Sequence, residues 1–78
     1  MDLQIIEAAL LKWGKEKQIE MVIEECTELS LALQKLRRAK PSTVNEVTFN
    51  VIDEIADVII MIEQCKQMFD IETIEQRI

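Results

Sequence analysis

The chain has 78 residues, of which 49% are hydrophobic, and its formal net charge is −6. This length suits one domain, residues 1–78, and the acidic balance argues against nucleic-acid binding, which needs a basic face. Without histidine the chain has neither His-ligated zinc nor a His-based nucleophilic triad, so any chemistry must rest on carboxylates.

Helix-forming residues dominate the composition, with one Gly and one Pro, and they predict an all-α fold. A first amphipathic helix is predicted over residues 3–13. Its apolar side consists of Leu3, Ile6, Leu10 and Trp13. Gly14 then breaks or caps this helix, because glycine accepts the backbone conformations that end helices.

A second helix is predicted from about residue 15 to residue 39, and Pro41 stops it. Its apolar residues alternate spacings of four and three, which is the seam of a helix bundle. This seam consists of Val22, Cys26, Leu29, Leu33 and Leu36. Cys26 and Cys65 are interpreted as small buried hydrophobic residues rather than as a disulfide or a metal pair.

A third helix is predicted to begin near a capping box formed by Thr43 and Glu46. Its main apolar stripe consists of Val51, Ile55, Val58, Ile62, Cys65 and Phe69. Since Ile52, Ile59 and Met61 fall outside that stripe, the helix is apolar nearly all round. We therefore expect an antiparallel helical bundle completed by oligomerisation, as a homodimer or homotetramer.

Asp70 is predicted to cap a short fourth helix over residues 71–78. No apolar run approaches 18 residues, so we expect no membrane span. The N-terminus lacks the basic start and apolar core of a signal peptide. We therefore expect a cytoplasmic protein.

Acidic residues recur at a spacing of three in the most apolar parts of the second and third helices. Glu25 and Glu28 share one helix face, and Glu54 and Asp57 share another. The two pairs lie about equally far from the connection at residues 40–43. Antiparallel packing would therefore bring four carboxylates to the same height along the hairpin.

Four carboxylates at one place repel each other, weakly in water and more strongly at partial burial. The groups are either solvated, or partly protonated, or arranged around a cation. We favour the cation, because two level acid pairs within apolar sequence are more than a solvated face requires. Oxygen ligands without His or Cys favour Mg2+, with Mn2+ as the alternative.

Two segments, "EECTEL" at residues 24–29 and "DEIADV" at residues 53–58, resemble the MazG-like, all-α nucleoside triphosphate pyrophosphohydrolase superfamily. The shared pattern is Glu-Glu-x-x-Glu, a spacer, and then Glu-x-x-Asp, and the similarity extends from about Trp13 to Phe69. The resemblance implies a MazG-like helical domain that packs as a dimer or tetramer. It also implies cleavage of a nucleoside triphosphate to the monophosphate and pyrophosphate, usually in the housecleaning of unwanted nucleotides.

By motif, the resemblance assigns four carboxylates to Mg2+ and one to the attacking water. The Mg2+ ligands would be Glu25, Glu28, Glu54 and Asp57. Glu24, the first residue of the motif, would be the candidate general base, with a solvated or structural role as the alternative.

The end of the chain departs from the family pattern. The family's last helix usually continues and carries basic residues near the substrate phosphates, whereas "IEQRI" offers Arg77 alone. Lys15, Lys17, Arg37 and Arg38 are the alternatives. Two other functions therefore stay open: a non-catalytic helical oligomerisation or regulatory module that keeps the acidic face, and a phosphoribosyl-ATP pyrophosphohydrolase.

Overall fold

The computed structural model describes residues 2–78, apart from the side chains of residues 10–13. It contains three helices: α1 (Leu3–Arg37), α2 (Val44–Lys66) and α3 (Ile71–Arg77). Within the described residues there is no strand, and α1 packs against α2 as a hairpin. The all-α prediction is confirmed, and in the described part of the chain no helix is long and apolar enough to cross a membrane.

Gly14 divides α1 into an N-terminal arm, residues 3–13, and a long segment, residues 15–37. Its φ of 73° and ψ of 168° lie in a region that is essentially restricted to glycine. The break lets the arm fold back, so that the buried Gln18 side chain donates a hydrogen bond from Nε2 to the Ala9 carbonyl at 3.5 Å. Ile6 and Ala9 are buried. The predicted break at Gly14 is therefore confirmed.

The apolar side predicted for the first helix is only partly right. Ile6 is 1% exposed, but Leu3 is 57% exposed, because the arm turns the side containing Ile6 and Ala9 toward the protein. Leu10 and Trp13, which complete the predicted side, have side chains outside the described residues.

The contact between α1 and α2 follows one row of buried and half-buried positions on each helix, here called the seam. On α1 the seam consists of Gln18, Val22, Glu25, Leu29, Ala32 and Leu36. On α2 it consists of Val51, Glu54, Val58, Met61 and Cys65. A glutamate therefore occupies one seam position on each helix.

The predicted stripes are wrong at every second position. Cys26 and Leu33 are exposed, because the row through Val22 continues to Glu25 rather than to Cys26. Ile55, Ile62 and Phe69 on the second predicted stripe are exposed for the same reason. Cys26 and the half-buried Cys65 are both free thiols. Because Cys26 is exposed, its interpretation as a buried residue is also wrong.

The N-termini of α2 and α3 differ in how they are capped. Thr43 precedes α2, but its hydroxyl donates to the Lys40 carbonyl at 3.3 Å and accepts from the Lys40 amide. No side-chain cap forms at Thr43, so the predicted capping box is wrong. Asp70 does cap α3, since its carboxylate accepts from the amides of Glu72 and Thr73.

Replacing Gly14 with alanine tests whether helix α1 is broken at this residue. We expect Gly14→Ala to lower the free energy of unfolding by about 1–3 kcal/mol, because a Cβ strains this backbone conformation. Leaving aside the adjoining backbone, no atom of the described residues lies within 4 Å of the added Cβ, so the expected loss comes from backbone strain rather than from a clash. Urea unfolding followed by circular dichroism measures the change.

Gln34→Ala, at an exposed helical position of the same helix, is the control and should shift the free energy of unfolding by no more than about 0.5 kcal/mol. In an unbroken helix Gly14→Ala would instead stabilise the protein by about 1 kcal/mol. That sign would contradict the break.

Candidate metal centre

Helix register brings the acidic residues of α1 and α2 to one height along the hairpin. Glu25 and Asp57 lie equally far from Pro41 in sequence, as do Glu28 and Glu54. Because α1 and α2 run in opposite directions from the short connection around Pro41, residues at equal distances from it lie at about the same height along the hairpin. The level arrangement expected from the sequence is therefore present.

Three carboxylates converge between the two helices. One oxygen from each of Glu25, Glu54 and Asp57 can be chosen so that all three atoms lie within 4.8 Å of one another. Glu25 and Glu54 are half-buried, while Asp57 is exposed, so the cluster opens to solvent on the Asp57 side. We call these three residues the acidic cluster.

Two oxygens of the acidic cluster are shut off from solvent without compensation. Oε2 of Glu25 and Oε2 of Glu54 are buried and have no hydrogen-bond partner among the described residues. A buried carboxylate oxygen without a partner carries a desolvation cost that a proton or a cation would offset. The seam thus contains two carboxylate oxygens that lack a hydrogen-bond donor among the described residues.

The electrostatics of the cluster follow from this burial and from its crowding. Burial raises the pKa of Glu25 above 4.5, and the charges of Glu28, Asp57 and Glu54 raise it further. The pKa of Glu54 is also raised, first by burial and then by the charges of Glu28 and Asp57. Glu25 and Glu54 therefore hold a proton more tightly than isolated carboxylates do.

The remaining predicted site residues lie beside the cluster rather than in it. Glu28 is exposed and is not one of the three converging residues, yet its carboxylate raises the pKa of Glu54 both by its charge and by a hydrogen bond. Glu24 is exposed, and it acts on the cluster only as the weakest of the charges around Glu25. Of the four expected ligands, the structure therefore brings three together and places Glu28 next to Glu54.

Two glutamines form a second polar level that the apolar patterns of the sequence did not predict. Gln18 is fully buried and Gln64 is 7% exposed, and the Oε1 atom of each is without a hydrogen-bond partner in the part of the chain that the structure describes. Both lie equally far from Pro41, so counting places them at one height along the hairpin, two turns from the acidic cluster. The same counting from Pro41 that aligned the acids would have found them.

The acidic cluster suits a hard divalent cation. It offers only carboxylate oxygens, two of them buried and unpartnered, and the chain contains no histidine. Oxygen donors of this kind select Mg2+ or Mn2+ rather than zinc. The exposed side leaves room for a ligand to reach the same place.

Comparisons with protein-family models, with curated proteins and with solved structures found no match for this chain.

The raised pKa values make the stability of the metal-free protein depend on pH. The folded state holds protons on Glu25 and Glu54 more tightly than the unfolded chain does, because both pKa values exceed 4.5. We therefore expect the free energy of unfolding to fall as the pH rises above about 4.5 and to level off above the folded pKa values. Urea unfolding in a chelating buffer at several pH values measures this slope.

The double variant Glu25→Gln/Glu54→Gln should flatten that slope, since neither amide titrates. Glu16→Gln, which removes one charge from an exposed position of α1, controls for net charge. A double variant with the same slope as the wild type would show that the two carboxylates are not the cause.

Proposed function

We propose that this protein is a Mg2+-dependent nucleotide pyrophosphohydrolase that cleaves a nucleoside triphosphate to the monophosphate and pyrophosphate. The observation that carries the proposal is the convergence of Glu25, Glu54 and Asp57 with two buried, unpartnered oxygens. These residues come from the two segments that resemble the MazG-like superfamily. The motif and the geometry therefore support the same residues independently.

The proposed roles divide the carboxylates between metal and water. Glu25, Glu54 and Asp57 would hold Mg2+, or Mn2+ in its place. Glu28 would contribute its negative charge and its hydrogen bond from beside Glu54. A divalent cation bound there would supply charge neutralisation of the phosphates and a lowered pKa of the attacking water. Glu24, exposed on the neighbouring position of α1, is the proposed general base.

The reaction transfers the nucleotidyl group, the nucleoside with its α phosphate, to water. The water oxygen bonds to the α phosphorus as the bond from that phosphorus to the bridging oxygen breaks. The electron pair of that bond leaves with the pyrophosphate, and the proton of the water passes to Glu24. Because Asp57 and Glu28 are exposed while Glu25 and Glu54 are half-buried, the triphosphate would approach from the Asp57 side.

We further propose that the protein works as a homodimer or a dimer of dimers. Its accessible surface is 6117 Å2, whereas a monomer of 9.1 kDa typically exposes about 4,900 Å2. The excess, about 1,200 Å2, exceeds the roughly 800 Å2 that one partner buries in a standard interface. The radius of gyration of 15.1 Å is likewise above the roughly 11.5 Å expected for a compact chain of this length.

The excess surface includes a continuous apolar row on α2, here called the outer row. It consists of Ile52, Ile55, Ile59 and Ile62, which are each 41–53% exposed. Their spacings of three and four put them on one face of α2. Such a row suits a second copy of the same helix, because closed symmetry lets one patch cover itself.

Replacing Glu54 with glutamine tests the proposed reaction. Glu54→Gln keeps the shape of the side chain but removes a ligand charge, so we expect pyrophosphate release from nucleoside triphosphates to fall by about a thousandfold or more. We expect the fold to persist and the metal-free protein to be slightly more stable, because one repulsive charge is removed. A pyrophosphate assay across nucleoside triphosphates with Mg2+ provides the measurement.

Glu16→Gln is the matched control and should keep wild-type turnover. A wild-type protein that releases no pyrophosphate with Mg2+ or Mn2+ would refute the enzyme proposal. If Mg2+ still raised the melting temperature of that protein, the helical regulatory module would be the better account.

A charge in the outer row tests the assembly. Ile59→Glu places a carboxylate in the centre of the proposed interface, where burying it unpaired is costly. We expect sedimentation at micromolar concentration to change from a dimer or tetramer for the wild type to a monomer for this variant.

Gln34→Glu adds the same charge at an exposed position of α1 and should leave the assembly intact. A wild-type protein that sediments as a stable monomer would overturn the assembly proposal.

A further inference from the structure

An open groove of about 750 Å3 lies where α1 ends and α2 begins. Lys35, Arg38 and Lys40 line it from the α1 side and the connection, and Asn50 and Asp53 line it from α2. All five side chains are exposed, so the groove is accessible to a ligand. We call it the hairpin groove.

The basic residues of the hairpin groove are a local exception in an acidic protein. Four of the nine basic residues lie within residues 35–40, although the chain carries a net charge of −6. The ion pairs among the described side chains involve Lys17 and Lys66, so Lys35, Arg38 and Lys40 are without a partner acid there. Two acids, Glu46 and Asp53, stand on the α2 side of the groove.

The C-terminal end of α1 explains only part of this cluster. A helix C-terminus favours cations in its last turn, which accounts for Lys35 and for Arg37. Lys40 lies beyond the helix, in the connection, where this effect has faded. A ligand with several negative charges would explain why the three bases of the groove stand together.

The hairpin groove is continuous with the acidic cluster along α2. Glu46, Asn50, Asp53 and Asp57 follow one another at spacings of four, three and four, so they share one face of the helix. Asp57 belongs to the acidic cluster and lies one turn, about 6 Å, beyond Asp53. A chain of phosphates held by the cluster at one end therefore has a direct course into the groove.

We propose that the hairpin groove binds the two phosphates that leave as pyrophosphate, with Lys35, Arg38 and Lys40 as the residues that bind them. This inference rests on the proposed function and adds the direction of the substrate: the α phosphate lies at the acidic cluster and the β and γ phosphates lie toward the connection. Bases at this end of the hairpin neutralise the charge that develops on the leaving group. Phosphate binding is thereby assigned to the connection between α1 and α2 rather than to α3.

The test uses the double variant Lys35→Gln/Arg38→Gln and two readouts. Titration calorimetry with inorganic pyrophosphate and Mg2+ should show binding weakened by about tenfold or more for each positive charge that the variant removes. The kcat/KM for a nucleoside triphosphate should fall with it. Circular dichroism confirms that the variant is folded, and both substituted side chains are exposed.

Gln4→Glu/Gln76→Glu lowers the net charge by the same two units at exposed positions of the N-terminal arm and α3 and is the matched control. If it weakens pyrophosphate binding as much as the groove variant, the effect is one of net charge and the inference is overturned. The inference is also overturned if the groove variant keeps wild-type binding and kcat/KM.

The two proposals fail separately. If the groove variant releases pyrophosphate at the wild-type rate, the enzyme proposal stands and the groove is refuted as the pyrophosphate site. If the protein shows no turnover but binds pyrophosphate through the groove, the enzyme proposal is refuted and the groove is supported as a polyphosphate site.

Discussion

In the contact between α1 and α2, two glutamates occupy positions where a helix pair normally buries apolar side chains. Glu25 and Glu54 each have one oxygen that is buried from solvent and that no donor of the described side chains or backbone reaches. Nearby Glu28 and Asp57 increase the repulsion. A sequence selected only for stability would place leucine there. The two glutamates are therefore the feature on which the proposed metal site rests.

The polar residues between the helices also constrain how the helices align. Counted from Pro41, Gln18 is level with Gln64 and Glu25 is level with Asp57, so one register aligns both pairs. Sliding α2 by one turn would separate the acids and set glutamine against apolar side chains. Polar residues within a helix interface commonly fix register at a cost in stability. The protein must offset that cost although its own core is small, which is consistent with the proposed assembly through the outer row of α2.

The sequence was sufficient for those features that depend on counting. Residue spacing predicted the hairpin and the level acids, and residue type predicted the break at Gly14 and the cap at Asp70. The seam was harder, because Val22 is followed at spacings of three and four by both Glu25 and Cys26. An apolar pattern favours the cysteine, whereas the packed helices use the glutamate, since the angle at which two helices meet is set by the whole interface. An apolar pattern cannot predict a buried glutamate such as Glu25, because the pattern assigns charged residues to the surface.

Anomalous diffraction from crystals grown with Mn2+ tests most directly whether the acidic cluster is a metal centre. A peak between the carboxylates of Glu25, Glu54 and Asp57, at direct ligand distance from the two buried oxygens, is the expected result. The same crystals of Glu54→Gln should lose the peak. A cluster that stays free of Mn2+ at millimolar concentration, with its carboxylates sharing a proton instead, would contradict the account.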